Sequence, residues 1–297
     1  MVMNNEITIV YHLGAPHTDN EKITWSLRKD TELLAENGVM LRRPKEYRSL
    51  LSGMIAELKG DEPSIADQEN LLGSIIRGQE VDRLIMSNTK FLGVPSWMFY
   101  GGTFYRNAAE NTARIRDLFP DNPCEFFLGI SNPANFIPAV FTEQTEKEYE
   151  QFIDKTELAT VRWSDVISSI QKENPECPIN VWCNEDTPII WPTILREIAG
   201  LDPQTRLQGE LDVIREIMSQ DGIDLLVKYL DERPDLSEIQ RRRVRGIFLE
   251  KFYLDEAVEE EIDLPGWTED TIDALTEIYD DDIERIEHLP GVNFVSL

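Results

Sequence analysis

The residues whose types and spacing best suit chemistry lie near the start of the chain. The stretch Gly14-Ala-Pro-His-Thr-Asp-Asn-Glu-Lys22 directly follows the apolar run Ile7-Thr-Ile-Val-Tyr-His12. A loop that leaves the carboxyl end of a buried strand and opens a helix presents backbone N–H groups to an anion, so an anionic group is the ligand class this position suits. The loop is not a Walker A sequence, because GxxxxGK[ST] is absent. His17 is one cationic candidate, although an imidazole with a pKa of about 6.5 is mostly neutral at pH 7 unless Asp19 or Glu21 raises it. Lys22 either reaches back into the loop or is a solvated lysine in the first turn of a helix. His12, ending the apolar run, reads as a structural histidine rather than a ligand.

Elsewhere, chemistry has less to stand on. His12, His17 and His288 are the full histidine complement, which argues against a histidine-based metal site, and Asp280-Asp-Asp282 lacks the spacing and glycine of an EF-hand loop. No GxSxG motif is present, and Cys183 has no evident histidine partner. Ser237 and Gln240 have the spacing of a capping box, and the helix they would open carries Arg241, Arg242, Arg243 and Arg245. On its own terms that cluster reads as a helix face pairing with the acidic C-terminal helices. The aromatic, glycine-broken segment Pro95-Ser-Trp-Met-Phe-Tyr-Gly-Gly-Thr-Phe-Tyr105 reads either as a pocket lining or as a packed loop.

The elements that must position these residues alternate. Apolar runs at Ile7 to His12, Val39 to Leu41, Arg83 to Met86, Glu125 to Ile130 and Ile179 to Cys183 are separated by helical patterns such as Glu21 to Asn37, Asn107 to Leu118 and Trp163 to Lys172. Strands alternating with helices predict a parallel sheet covered on both faces. From Thr187 onward strand signals stop. Helical patterns follow at Pro192 to Ala199, Leu211 to Met218, Ser237 to Phe252 and Thr268 to Glu287, so the sheet is expected to be complete by about residue 185. The division that follows is an α/β core over residues 1–200 and an acidic helical region over 201–297 packed on it.

The opening segment resembles the sulfotransferase family, particularly bacterial members in which the first strand runs into a loop of the form GxPKTGTTSLQ, followed by a long helix, "NGV" and a strand. His12-Leu-Gly-Ala-Pro16, Thr18 and Glu36-Asn-Gly-Val39 carry the match in order and spacing. Ile130-Ser-Asn-Pro-Ala-Asn-Phe136 is similar to the segment that holds the donor's 3′-phosphate, and Trp163-Ser-Asp-Val-Ile167 and Val181-Trp-Cys-Asn-Glu-Asp186 to later conserved pieces of the family, extending the similarity to about residue 200. The resemblance implies a three-layer, P-loop-NTPase-like sheet with a helical C-terminal part. It also implies sulfuryl transfer from 3′-phosphoadenosine 5′-phosphosulfate to an unidentified small-molecule hydroxyl or amine acceptor, without a metal. On that reading His17 and Lys22 would stand in the catalytic positions. Gly14, Ala15, Pro16, Thr18 and Asn20 would hold the 5′-phosphosulfate, and Ser131, Asn132 and Arg243 the 3′-phosphate.

The chain departs from that pattern where the chemistry would be done. His17 replaces the loop lysine, Asp19 a glycine, Asn20 and Glu21 hydroxyl residues, and Ser131 and Asn132 the expected arginine. Ser87-Asn-Thr89 lacks the base sometimes found after the third strand. A carboxylate about 4 Å from an anion costs on the order of 1 kcal/mol or more. The alternative reading is therefore a non-catalytic binding or interaction protein that keeps the sheet and has lost the donor site.

Charge and composition narrow the partners. A net charge of −27 argues against nucleic acid and anionic membrane surfaces. Between Asp255 and His288 fifteen acidic residues face one base, Arg285, so about half of the net charge lies there, as a solvated face or an interaction surface. Three scattered cysteines, no signal-peptide pattern and no apolar stretch near bilayer-spanning length lead to the expectation of a cytoplasmic protein outside the membrane.

Overall fold

The computed structural model describes residues 7–19, 21–143, 147–254 and 264–297. Six strands, β1 (Thr8–His12), β2 (Val39–Arg42), β3 (Arg83–Ser87), β4 (Cys124–Ile130), β5 (Ile179–Cys183) and β6 (Val292–Phe294), form one sheet in the order β2-β3-β1-β4-β5-β6. Every pairing is parallel. The first half of the chain supplies the helices α1 (Lys22–Leu27), α2 (Thr31–Glu36), α3 (Pro44–Leu58), α4 (Ile65–Ile76), α5 (Ala108–Arg116) and α6 (Pro133–Thr142). The second half supplies α7 (Tyr149–Ile153), α8 (Trp163–Glu173), α9 (Thr187–Ala199), α10 (Ile214–Ile217), α11 (Gln220–Asp231), α12 (Glu238–Phe252) and α13 (Glu269–Glu287).

The strands alternate between two cores because successive side chains leave a strand on opposite faces. Ile9 and Tyr11 of β1 join Leu84, Phe126 and Val181 in a core covered by α3, α4, α5, α6, α8 and α13. Val10 joins Ile85, Phe127 and Trp182 on the other face under α1, α2 and α9. This is the three-layer α/β arrangement, a parallel sheet flanked by helices on both faces, that the alternating pattern predicts. A third, separate cluster of Ile214, Met218, Ile223, Leu226 and Leu230 gives α10, α11 and α12 a small core of their own.

Three expectations change. The sheet is not complete by residue 185, since β6 adds a sixth strand after α13 and pairs with β5 through Ile179 and Val292. The single helix over Glu21 to Asn37 is two helices joined by a 3-10 turn at Arg28–Asp30, where the Asp30 carboxylate accepts the Gln208 amide at 2.9 Å. Leu211 to Met218 narrows to the four residues of α10. Gly38 ends α2 in the left-handed region, with φ 68° and an added Cβ falling 2.2 Å from Asp82 Oδ2. Ser237 caps α12 and forms the capping box with Gln240. Cys124, Cys177 and Cys183 are free and buried. Among the described residues no helix is long and apolar enough to cross a membrane.

Candidate functional site

The chain crosses from one side of β1 to the other between β3 and β4, so the carboxyl ends of β1, β3 and β4 border the crevice in which an open α/β sheet holds its ligand. The loop after β1 is tied into that edge. The Leu13 amide donates to the Phe127 carbonyl at 2.8 Å, and the Asn88 amide to the His12 carbonyl at 3.1 Å. Gly14 has φ 53°, and a Cβ there would lie 3.3 Å from the Thr89 Cα, so glycine serves both the left-handed turn and the close approach of two backbones.

Beyond Gly14 the loop folds onto itself. Gly14, Ala15, Pro16, Thr18 and Asp19 are all buried. The Thr18 hydroxyl donates to the Ala15 carbonyl at 2.7 Å, and the Thr18 amide approaches the same oxygen at 3.4 Å. Asp19 Oδ2 accepts the Ile23 amide at 3.3 Å, so the first turn of α1 already has a carboxylate from its own chain. The two cationic candidates are likewise engaged. His17, at φ 60°, brings Nε2 to 3.4 Å from Glu143 Oε2 just beyond α6. Lys22 pairs with Glu216 of α10 instead of turning back over the loop. Asn20 lies outside the described residues.

His12 occupies a position that the sequence left without chemistry. Its Nδ1 lies 2.8 Å from Ser87 Oγ, and its ring stacks on Trp182 at 6.0 Å between centroids. An imidazole therefore stands at the end of β3, supplied by β1. Burial pushes its pKa below the usual histidine range, and the nearby Asp19 carboxylate opposes that shift. Both His12 Nε2 and Asp19 Oδ1 are buried without a hydrogen-bond partner among the described residues.

At the end of β4, Asn132 caps α6 by accepting the Ala134 amide at 2.9 Å. The Glu185 carboxylate sits at the same helix start. One oxygen accepts the Asn132 amide at 2.8 Å and the Ser131 hydroxyl at 3.0 Å, and the other accepts the Tyr279 hydroxyl of α13 at 3.0 Å. Asn132 Nδ2 donates to Thr276 of α13 at 2.9 Å, while the Trp163 indole donates to the Ser131 carbonyl at 2.8 Å. Burial drives the Tyr279 hydroxyl far above its ordinary pKa and pushes the Cys183 thiol up to about 12, so neither is an ionised group near neutral pH. Ser131 and Asn132 are thus brought together, with a carboxylate of the chain between them.

Arg243 is exposed on α12, and among the described residues no contact joins it to Ser131 or Asn132. Its neighbours face inward. Arg245 pairs with Glu238 and donates to the Ile189 carbonyl at 2.9 Å, while Arg196 of α9 reaches Glu238 at 2.6 Å and Glu210 at 3.0 Å. Within the cluster Arg245 takes its carboxylate from Glu238 on the same helix, whereas Arg241 and Arg242 donate to the Pro234 and Ser296 carbonyls, so among the described residues none of the four pairs with α13. In the aromatic segment, Phe99, Phe104 and Tyr105 are packed into the core, while Trp97 and Tyr100 stay exposed beside a cleft of about 280 Å³. Among the described residues no group of three histidine, cysteine or carboxylate side chains is placed to hold a metal ion.

Glu185 and Tyr279 were missed as site residues. Glu185 stands in a stretch that the family resemblance covers, but its partners lie 53 and 94 residues away in sequence, so no local pattern marks it.

No family model matches this chain, and no curated protein matches it. Among solved structures it is similar to a sulfotransferase from Alicyclobacillus acidocaldarius, with 12% sequence identity, 80% of this chain and 94% of that chain covered, and a TM-score of 0.39.

Proposed function

We propose that this chain is a sulfotransferase-like α/β protein that has given up its nucleotide-sulfate donor site and works as a binding or interaction protein. The observation that carries this reading is the Glu185 carboxylate on the Asn132 amide, the Ser131 hydroxyl and the Tyr279 hydroxyl. The family resemblance would put the donor's 3′-phosphate against Ser131 and Asn132. A phosphate entering there would meet a fixed negative charge and would have to break three hydrogen bonds to displace it, each about 0.5–1.5 kcal/mol net. The 3.4 Å approach of His17 Nε2 to Glu143 and the ion pair of Lys22 with Glu216 support the same reading, because each candidate side chain already faces a carboxylate of the chain.

The test is thermal unfolding with adenosine 3′,5′-bisphosphate. A ligand that binds only the folded chain stabilises it by about 2.7 kcal/mol at 100 times its Kd. The proposal expects no shift at millimolar nucleotide. A saturable rise in Tm would overturn it in favour of the second reading, sulfuryl transfer from 3′-phosphoadenosine 5′-phosphosulfate to a hydroxyl or amine acceptor. That second reading is favoured by the position of the Gly14 to Thr18 loop at the carboxyl end of the central strand and by the His12 imidazole beside Ser87.

A further inference from the structure

From the pairing of α11 and α12 we infer a docking groove for an acidic amphipathic helix of a partner protein. The two helices form an antiparallel hairpin with its own small core, apart from the sheet. At its open end Gly222 lets the helices nearly touch, since an added Cβ would come 2.4 Å from the Phe252 Cβ. Nearer the connecting turn, the Tyr229 and Phe248 rings meet at 5.8 Å.

On the outer side each helix presents a stripe at helical spacing. Leu225, Lys228 and Tyr229 of α11 and its C-cap Glu232 lie at i, i+3, i+4 and i+7, and Ile247, Phe248, Lys251 and Phe252 line the facing side of α12 as two adjacent pairs one turn apart, at i, i+1, i+4 and i+5. Between the stripes runs a groove of about 370 Å³. Among the described residues nothing covers its apolar floor, with Leu225 49% and Ile247 63% exposed. Two aligned apolar stripes with a trough between them suit a third helix, whose own i, i+3, i+4 and i+7 side chains fill the trough.

The rim selects the charge of that helix. Lys228, Arg233 and Lys251 face the groove against one carboxylate, Glu232, in a chain with 29 basic and 56 acidic residues. Glu232 is committed to Arg233 at 3.5 Å, and among the described residues Lys228 and Lys251 are in no ion pair. Lys251 lies over the Phe252 ring at 5.3 Å and Arg233 over the Tyr229 ring at 3.9 Å, so the cations hug the apolar floor. Carboxylates flanking an apolar stripe would meet these cations at short range. At physiological salt the charge elsewhere on the chain is screened over about 8 Å. The groove thus fits an acidic helix better than a basic one, a nucleic acid or an anionic membrane.

The inference goes beyond the donor-site reading, and each can fail alone, because one experiment reads a peptide and the other a nucleotide. The probes are three fluorescein-labelled peptides of roughly four helical turns. The first has leucine and glutamate at helical spacing, the second is the same composition scrambled, and the third carries lysine in place of every glutamate. Fluorescence anisotropy against the full chain should show saturable binding of the first and at least about tenfold weaker binding of the other two. The Lys228→Glu, Lys251→Glu double variant and, separately, Ile247→Asp should each weaken the first peptide by about tenfold. These side chains are exposed, and a thermal melt of each variant checks that it folds. Equal binding of the scrambled peptide, unchanged affinity in both variants, or preference for the lysine peptide would overturn the inference. So would sedimentation that shows a dimer of this chain abolished by Ile247→Asp, since the face would then belong to a second copy.

Discussion

Replacing Glu185 by alanine tests whether the start of α6 is an anion site occupied by the chain itself. The carboxylate accepts hydrogen bonds from the Asn132 amide, the Ser131 hydroxyl and the Tyr279 hydroxyl. Hydrogen bonds to a charged group are worth about 1.5–3 kcal/mol each when shielded, but Glu185 is an exposed residue, which lowers each to about 0.5–1 kcal/mol. The sum is a loss of about 2 kcal/mol, or a fall in Tm of roughly 3 °C for a chain of 297 residues. The variant would also leave an amide and a hydroxyl at a helix N-terminus with no anion. Inorganic phosphate, titrated against sodium chloride at matched ionic strength, should then raise the Tm of Glu185→Ala more than that of the unaltered chain. Melting curves followed by circular dichroism read both effects. An unchanged Tm in the variant, or equal phosphate responses in the two proteins, would refute the reasoning that Glu185 stands in for a bound anion.

His12 should make the fold sensitive to acid. Its folded pKa is depressed by burial, so below about 6.5 the unfolded chain binds a proton that the folded chain resists. The stability it allows is complete above that pH and falls as the pH drops toward the folded pKa. The urea midpoint should therefore decline between pH 7.5 and pH 5.5, and His12→Gln should decline less; an equal decline would assign the effect to other groups. Glu238→Gln should cost about 3–5 kcal/mol, because it leaves the buried guanidinium of Arg245, 1% exposed, and that of Arg196, 2% exposed, short of their shared carboxylate. A loss under 1 kcal/mol in urea unfolding would count against that network. Gly14→Ala should cost about 1–2 kcal/mol through the left-handed backbone alone, with the Thr89 contact at 3.3 Å adding to it. A neutral result would mean that the loop can move away from Thr89.

What the sequence reveals of this fold follows from how local each cause is. The run Ile179 to Cys183 is legible as a strand because all five residues are buried, and apolar and aromatic side chains dominate it. The start of α12 is legible because Ser237 and Gln240 satisfy each other's backbone within one turn. By contrast β6 is three residues long and half-exposed, and its partner β5 lies more than a hundred residues earlier, so nothing within it marks a strand. The break between α1 and α2 is equally invisible, because the carboxylate of Asp30 is drawn to Gln208, 178 residues later. The same reasoning separates the two halves of the candidate site. The position of the Gly14 to Thr18 loop follows from the strand that precedes it and the helix that follows. The state of that site depends instead on Glu143, Glu185, Glu216 and Tyr279, which arrive from the end of α6, the turn between β5 and α9, α10 and α13. A substituted lysine can be read in one dimension, but the carboxylates that take the place of a ligand become visible only once the chain has folded.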